Sequence, residues 1–183
     1  MRYFLGFLAA IGLIIVVFVL ILKGFSSHGT PKNQINLLDY ANSQTQVQLT
    51  VDGQINADSK HNTYTVTVGR DTVNMTTTQG YQGTVLQQKT YPNNSSAYAE
   101  FLRSLQLFGF VKGNTDQTKA DERGYCPSGD RYLFEIISGG DTVQRFWSSS
   151  CGGGTYGGNR SQTLLLFQRQ VPDYSALVTG LNL

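Results

Sequence analysis

The sequence predicts an α+β domain carried on an N-terminal membrane anchor. Three observations lead there: an uncharged apolar run at the start, short segments of period-two alternation, and apolar residues at helical spacing behind the strands. The expected architecture is a transmembrane helix followed by one antiparallel sheet with two or three helices packed on one face. Residues 1–23 read as the anchor, 24–33 as a flexible stalk and 34–183 as the extracytoplasmic α+β domain.

From Tyr3 to Leu22 there are 20 residues without a charge, bracketed by Arg2 and Lys23. At about 1.5 Å per residue the run spans roughly 30 Å, the thickness of a bilayer's hydrocarbon core. It is longer than a signal-peptide core, and Lys23-Gly24-Phe25-Ser26-Ser27-His28 offers no small-x-small cleavage site, so an uncleaved single-pass signal-anchor is expected. Gly24 to Asn33 is small and polar and carries Pro31, as a stalk would be. The flanking charges say little about orientation. The lysine-poor, Thr/Asn/Gln/Gly/Tyr-rich remainder with two cysteines favours an oxidising compartment at the cell surface, two free cytosolic thiols being the alternative.

Arg2 and Lys23 account for the whole net charge of +2; the remaining 12 basic and 12 acidic residues balance, with no Lys/Arg cluster. That argues against a nucleic-acid partner.

Gln34 to Ala41 reads as a short helical lead-in. Thr45 to Asp52 alternates, with Val47, Leu49 and Val51 on one face and Gln46, Gln48 and Thr50 on the other. Tyr64, Val66 and Val68 against Thr65 and Thr67 make a second strand. Gly69-Arg70-Asp71 makes a turn, Val73, Met75 and Thr77 a third strand, and Thr84 to Thr90 a fourth. Asn93-Asn94-Ser95-Ser96 supplies N-caps for a helix through Tyr98, Phe101, Leu102, Leu105 and Phe108, with Gly109 as its stop. Lys112 to Gly124 is a polar loop. Arg131 to Ile137 and Thr142 to Ser148 form a hairpin, with Trp147 expected on its buried face. Ser161 onward is helical, Pro172 ends or kinks that helix, and a last piece runs to Thr179. The tips at Gly69 and Gly139 share Gly-x-Asp-Thr-Val. That permits a reading as two strand–strand–helix units, although Gly and Asp dominate hairpin turns in any case.

Cys126 and Cys151 fall opposite one another at the open end of the hairpin. If its tip lies between Gly139 and Gly140, Cys126 faces Gly153 and Cys151 faces Ser128, near enough to bridge. Closing that loop is worth about 3 kcal/mol in the chain-entropy model. A metal site would need further ligands, and His28 and His61 stand far off in sequence. No cofactor motif, metal-ligand spacing or catalytic constellation is present.

Candidate binding residues are tyrosines in polar surroundings, Tyr81 and Tyr91, and the glycine-rich segment with Gly153, Gly154, Tyr156, Gly157 and Asn159. The alternatives are that these tyrosines cover the domain's own core and that the glycines let another backbone approach. The segment lacks the Lys-Ser/Thr of a phosphate loop.

The pattern Tyr125-Cys126-Pro127-Ser128-Gly129, Phe146-Trp147-Ser148-Ser149-Ser150-Cys151, Gly157-Gly158-Asn159 and Val171-Pro172-Asp173-Tyr174 resembles uncharacterised single-pass proteins of candidate-phyla-radiation bacteria, mainly over residues 125–174. The resemblance implies a membrane-anchored extracytoplasmic protein with a disulfide, and no activity. Gly6-Phe7 also resembles the start of a processed pilin, but Ile11 stands where that family has Glu. The expected function is a tethered binding domain whose partner is an envelope protein or glycan. Its rivals are an envelope hydrolase or transferase with carboxylates converging from among Asp71, Asp130, Glu135 and Asp141, and a pilin-like filament subunit.

Overall fold

The computed structural model describes residues 35–41, 44–181 and 183; the predicted anchor and stalk lie outside the described residues. Six strands form one sheet: β1 (Thr45–Asp52), β2 (Asn62–Val68), β3 (Thr72–Gln79), β4 (Thr84–Pro92), β5 (Arg131–Ser138) and β6 (Asp141–Ser149). Every neighbouring pair is antiparallel, in the order β4-β3-β2-β1-β5-β6. Helix α1 (Ser95–Leu107) lies between β4 and β5, and α2 (Arg160–Gln168) and α3 (Tyr174–Val178) follow β6, with a 3-10 turn at Leu37–Tyr40 as the lead-in. This is the expected α+β class.

The alternation decides the layering. Val47, Leu49, Val51, Tyr64, Val66, Val68, Val73, Met75, Phe134 and Ile136 are buried on one face, where burial of each such side chain contributes about 1.5–3 kcal/mol. Over them lie Tyr98, Phe101, Leu102 and Leu105 of α1, with Phe167 of α2 and Leu177 of α3. Asn94 caps α1 by accepting the Ala97 N–H at 3.0 Å, and Gly109 takes φ +79° just past its end. Strand β4 ends where β5 does not begin. The crossover from one edge to the far side of β1 therefore needs a chain running back along the sheet, and α1 supplies it with an apolar stripe facing inward.

Both edge strands carry a bulge, at Leu86 in β4 and Val143 in β6, and both bulged side chains are exposed. Trp147 is buried as expected, but the second bulge corrects the hairpin register that the sequence predicts. A hairpin in plain register would set Trp147 opposite Tyr132 on the helix-covered face. The extra residue sets it opposite Leu133 instead, and the indole is buried on the other face, away from the helices. The chain between β3 and α1 differs from that between β6 and α2: β4 intervenes in the first. Val73 is buried while Val143, its counterpart in the shared turn motif, is exposed.

Among the described residues no helix is long and apolar enough to cross a membrane.

Candidate binding surface

The face away from the helices has two halves. Over β5 and β6 it is roofed by the loop from Asn114 to Asp130. Trp147 donates its indole N–H to the Lys119 carbonyl at 2.8 Å. Arg145 donates to the Ala120 carbonyl at 3.0 Å and to Glu122 at 2.6 Å. Tyr125 packs on Trp147 with ring centroids 4.8 Å apart. The Cys126–Cys151 disulfide, with Cα atoms 5.7 Å apart, clamps the end of this roof to the turn after β6.

Over β2, β3 and β4 the same face is open. It presents Thr63, Thr65 and Thr67 on β2, then Asn74, Thr76 and Thr78 on β3, then Gln88 and Thr90 on β4. Thr67 donates to Gln48 at 3.0 Å, Thr50 and Thr65 share a hydrogen bond at 3.2 Å, and Thr90 donates to Asn74 at 2.6 Å.

The two halves meet at the end where β1 stops. Asp52 accepts from Arg131 through Nε at 2.9 Å and Nη2 at 2.7 Å, from Thr63 at 3.0 Å, and from His61 Nε2 at 2.9 Å. The Arg131 side chain is 2% exposed, and that carboxylate is the opposite charge that compensates it. His61 Nδ1 lies 2.9 Å from the Gln54 carbonyl. Both ring nitrogens and both carboxylate oxygens are thus engaged, and this His–Asp pair has the geometry of a structural clasp. Tyr81 stacks on His61 at 4.2 Å and 14°, and its hydroxyl bonds the backbone N–H and carbonyl of Asn56 at 3.1 and 2.9 Å. Next along, the Ile55 N–H donates to the Pro127 carbonyl at 2.8 Å, tying this turn to the roof. Tyr81 is 53% exposed, Ile55 42% and Tyr125 54%. Together they make an apolar, aromatic rim in which each exposed tyrosine is backed by a buried ring, His61 stacked under Tyr81 and Trp147 tilted at 60° against Tyr125.

Of the residues singled out in sequence, Tyr81 stands on this rim, and exposed Gly153 lies beside Tyr125. The others are placed elsewhere. Tyr156 stacks on Phe134 at 4.0 Å and 25°, with its hydroxyl 2.7 Å from Thr163; burial pushes its phenol up to about 12. Gly154 bridges to Ser148 with φ +117°, where a Cβ would collide with the Trp147 carbonyl. The Gly157 N–H donates to the Lys112 carbonyl at 2.9 Å, and Asn159 caps α2 through the Gln162 N–H at 3.2 Å. The glycine-rich segment is therefore a tightly folded connection between backbones. Tyr91 lies at the opposite end of β4 from Tyr81, roughly 20 Å along the strand. There it hydrogen-bonds Asp173, and Lys89 pairs with the same carboxylate.

The four carboxylates considered for catalysis sit apart. Asp71 and Asp141 occupy separate hairpin turns about three strand spacings, roughly 14 Å, from one another. Asp130 lies at the other end of the sheet, accepting from Tyr132, and Glu135 lies mid-sheet with Gln48 and Arg145. A shallow cavity of about 500 Å³ between the start of β1 and the Gly69–Asp71 turn takes in Asp71, which is paired with Arg70 at 3.0 Å. Among the described residues no cluster of three or more His, Cys, Asp or Glu is placed to hold a metal ion.

Sequence reasoning missed Ile55, Tyr125 and the Asp52–His61–Arg131 clasp. Tyr125 had a visible signal in its place beside Cys126; the clasp had none, because its members are 9 and 79 positions from Asp52. Compared with protein-family models and with curated proteins, the chain finds no match.

Proposed function

We propose that this chain is a membrane-tethered, extracytoplasmic binding module that works through the rim of Tyr81, Ile55 and Tyr125 and the open sheet face beside it. The observation that carries the reading is the rim itself: two exposed tyrosine rings, Tyr81 stacked on buried His61 and Tyr125 packed at 60° on buried Trp147, with exposed Ile55 on the turn tied to both. Rigid amphipathic rings lose little entropy on binding and recur as interface anchors. The 20-residue uncharged run Tyr3–Leu22 supports the tether, and the Cys126–Cys151 disulfide supports an oxidising location. The resemblance to candidate-phyla-radiation single-pass proteins points the same way.

The test is retention of the detergent-solubilised full chain on its host's purified cell envelope. Tyr81→Ala and Tyr125→Ala are each expected to weaken retention about tenfold, as truncation of an interface anchor does. Unchanged retention in the double variant would refute the rim. Extraction of the native chain from membranes by alkaline carbonate would refute the tether.

A further inference from the structure

We infer that the ligand of this module is an uncharged, polyhydroxylated polymer, a neutral glycan strand laid across β2, β3 and β4 and ending against Tyr81. The inference rests on the binding reading above and names the class of molecule bound.

On the open face, β2, β3 and β4 present no ionised side chain at all, and β1 adds Gln46, Gln48 and Thr50 before Asp52 at its end. Asp52 is consumed by Arg131, Thr63 and His61. Lys89, the one charge in the middle of β4, lies on the helix side, paired with Asp173. A solvated sheet face ordinarily carries interspersed Lys and Glu, which keep it soluble and repel strangers. Here such charges are absent over three adjacent strands; the nearest carboxylate on the Tyr81 side, Asp58, accepts the Tyr81 backbone N–H at 2.8 Å, so the floor itself offers an ion no partner. It matches a neutral partner.

Chemistry then narrows the partner. Hydroxyls and carboxamides both donate and accept, and so do sugar hydroxyls. The floor is held in order by its own hydrogen bonds, Thr67 to Gln48, Thr50 to Thr65 and Thr90 to Asn74, and each of these hydroxyls retains acceptor capacity. A protein partner would ask for an apolar centre; here the middle of the floor is threonine and amide, and the exposed apolar side chain, Val85 opposite Thr78, stands on the edge strand. At the end of the face, reached through the contacts from Asp52 to His61, stands the half-exposed Tyr81 ring, fixed by stacking and two hydrogen bonds. Its flat apolar surface suits the C–H face of a pyranose, while hydroxyls bond the floor. The roof over β5 and β6 makes one side wall.

The experiment is affinity electrophoresis of the full chain in detergent through gels containing galactomannan or a linear β-1,3-glucan, with polygalacturonate as the anionic comparison. Retardation is expected in a neutral gel. It should fall about tenfold with Gln88→Lys, on an exposed edge position that leaves the core untouched, and with Tyr81→Ala. Thr76→Lys, opposite Gln88, gives the same loss if its denaturation midpoint matches the parent's; Gln88→Lys decides if it does not. Stronger retardation by polygalacturonate, or equal retardation of parent and Gln88→Lys, would overturn the assignment. If neutral gels have no effect while envelope binding persists and depends on Tyr81, the ligand is a protein: the glycan class is wrong and the binding reading stands. If envelope binding also ignores Tyr81, both fall.

Discussion

Strands β5 and β6 and strands β2 to β4 turn the same face of one sheet away from the helices, yet the first pair is roofed and the second group is bare. The residues differ accordingly. Under the roof stand Trp147, Arg145 and Arg131, large side chains whose polar ends each meet a carbonyl or carboxylate of the loop or of β1. On the bare half stand threonines and amides, whose β-branched or short side chains suit a pleated surface that faces water. The roof is kept in place by a disulfide; the bare half has no such strap among the described residues. A cover that is fixed covalently on one half, and a neutral floor left open on the other, divide the face into a structural part and a part free to meet another molecule.

The largest effect should come from the seam between the halves. Arg131→Ala leaves Asp52 facing His61 without its principal partner, and should cost about 4 kcal/mol in denaturant unfolding, the scale for breaking a buried pair. Next is the roof's clamp. The Cys126→Ser/Cys151→Ser double variant should lose about 3 kcal/mol and red-shift Trp147 emission, while amide exchange in β2 and β3 stays unchanged. A uniform rise in exchange across the sheet would erase the distinction between the halves.

A subtler test concerns the outer edge of the bare half. Thr84 to Thr90 are exposed throughout, so β4 depends on β3 and on the Asp173 contact. Hydrogen bonds from Lys89 and then Tyr91 hold the Asp173 carboxyl below the usual carboxylate range. A depressed folded-state pKa means the contact is complete above the ordinary aspartate value, about 4, and is lost as pH falls through the folded value. Tyr91, pushed up to about 12 by burial and then by Asp173, keeps its proton below about 10 and loses it as pH rises through about 12. Exchange in β4 should therefore rise below about pH 4. The roof residue Asp121, held at about 2 by hydrogen bonds from Arg123, is still charged there. Smallest of all, Thr65→Ala should change stability by no more than about 0.5 kcal/mol, the value for an open position.

Much of this architecture was legible from residue order. Strand β1 is where alternation places it because one face is wholly buried, and any slip would turn Val47, Leu49 and Val51 to water. The cysteines met because the hairpin's register brings its open end together. The burial of Trp147 was legible, but the hairpin register beyond Gln144 was not, because a bulge adds one residue without any composition cue and one residue inverts every later side chain. Tyr156 looked like a loop tyrosine; its stacking on Phe134 depends on a long-range approach of the glycine segment to Gly113. The threonine alternation of β2 was plain, but which half of the face would stay open depends on where the loop after α1 lies down, and that is set by tertiary contacts.

On the proposed function the bare half, with its tyrosine rim, is the face that meets the partner. The direct measurement is methyl NMR of the full chain, labelled at threonine, during titration with solubilised envelope polymer. Shifts at Thr65, Thr67, Thr76 and Thr78, with Thr118 in the roof and buried Thr163 of α2 unmoved, are the predicted result. Binding that moves Thr118 and leaves the β2 and β3 threonines still would contradict it.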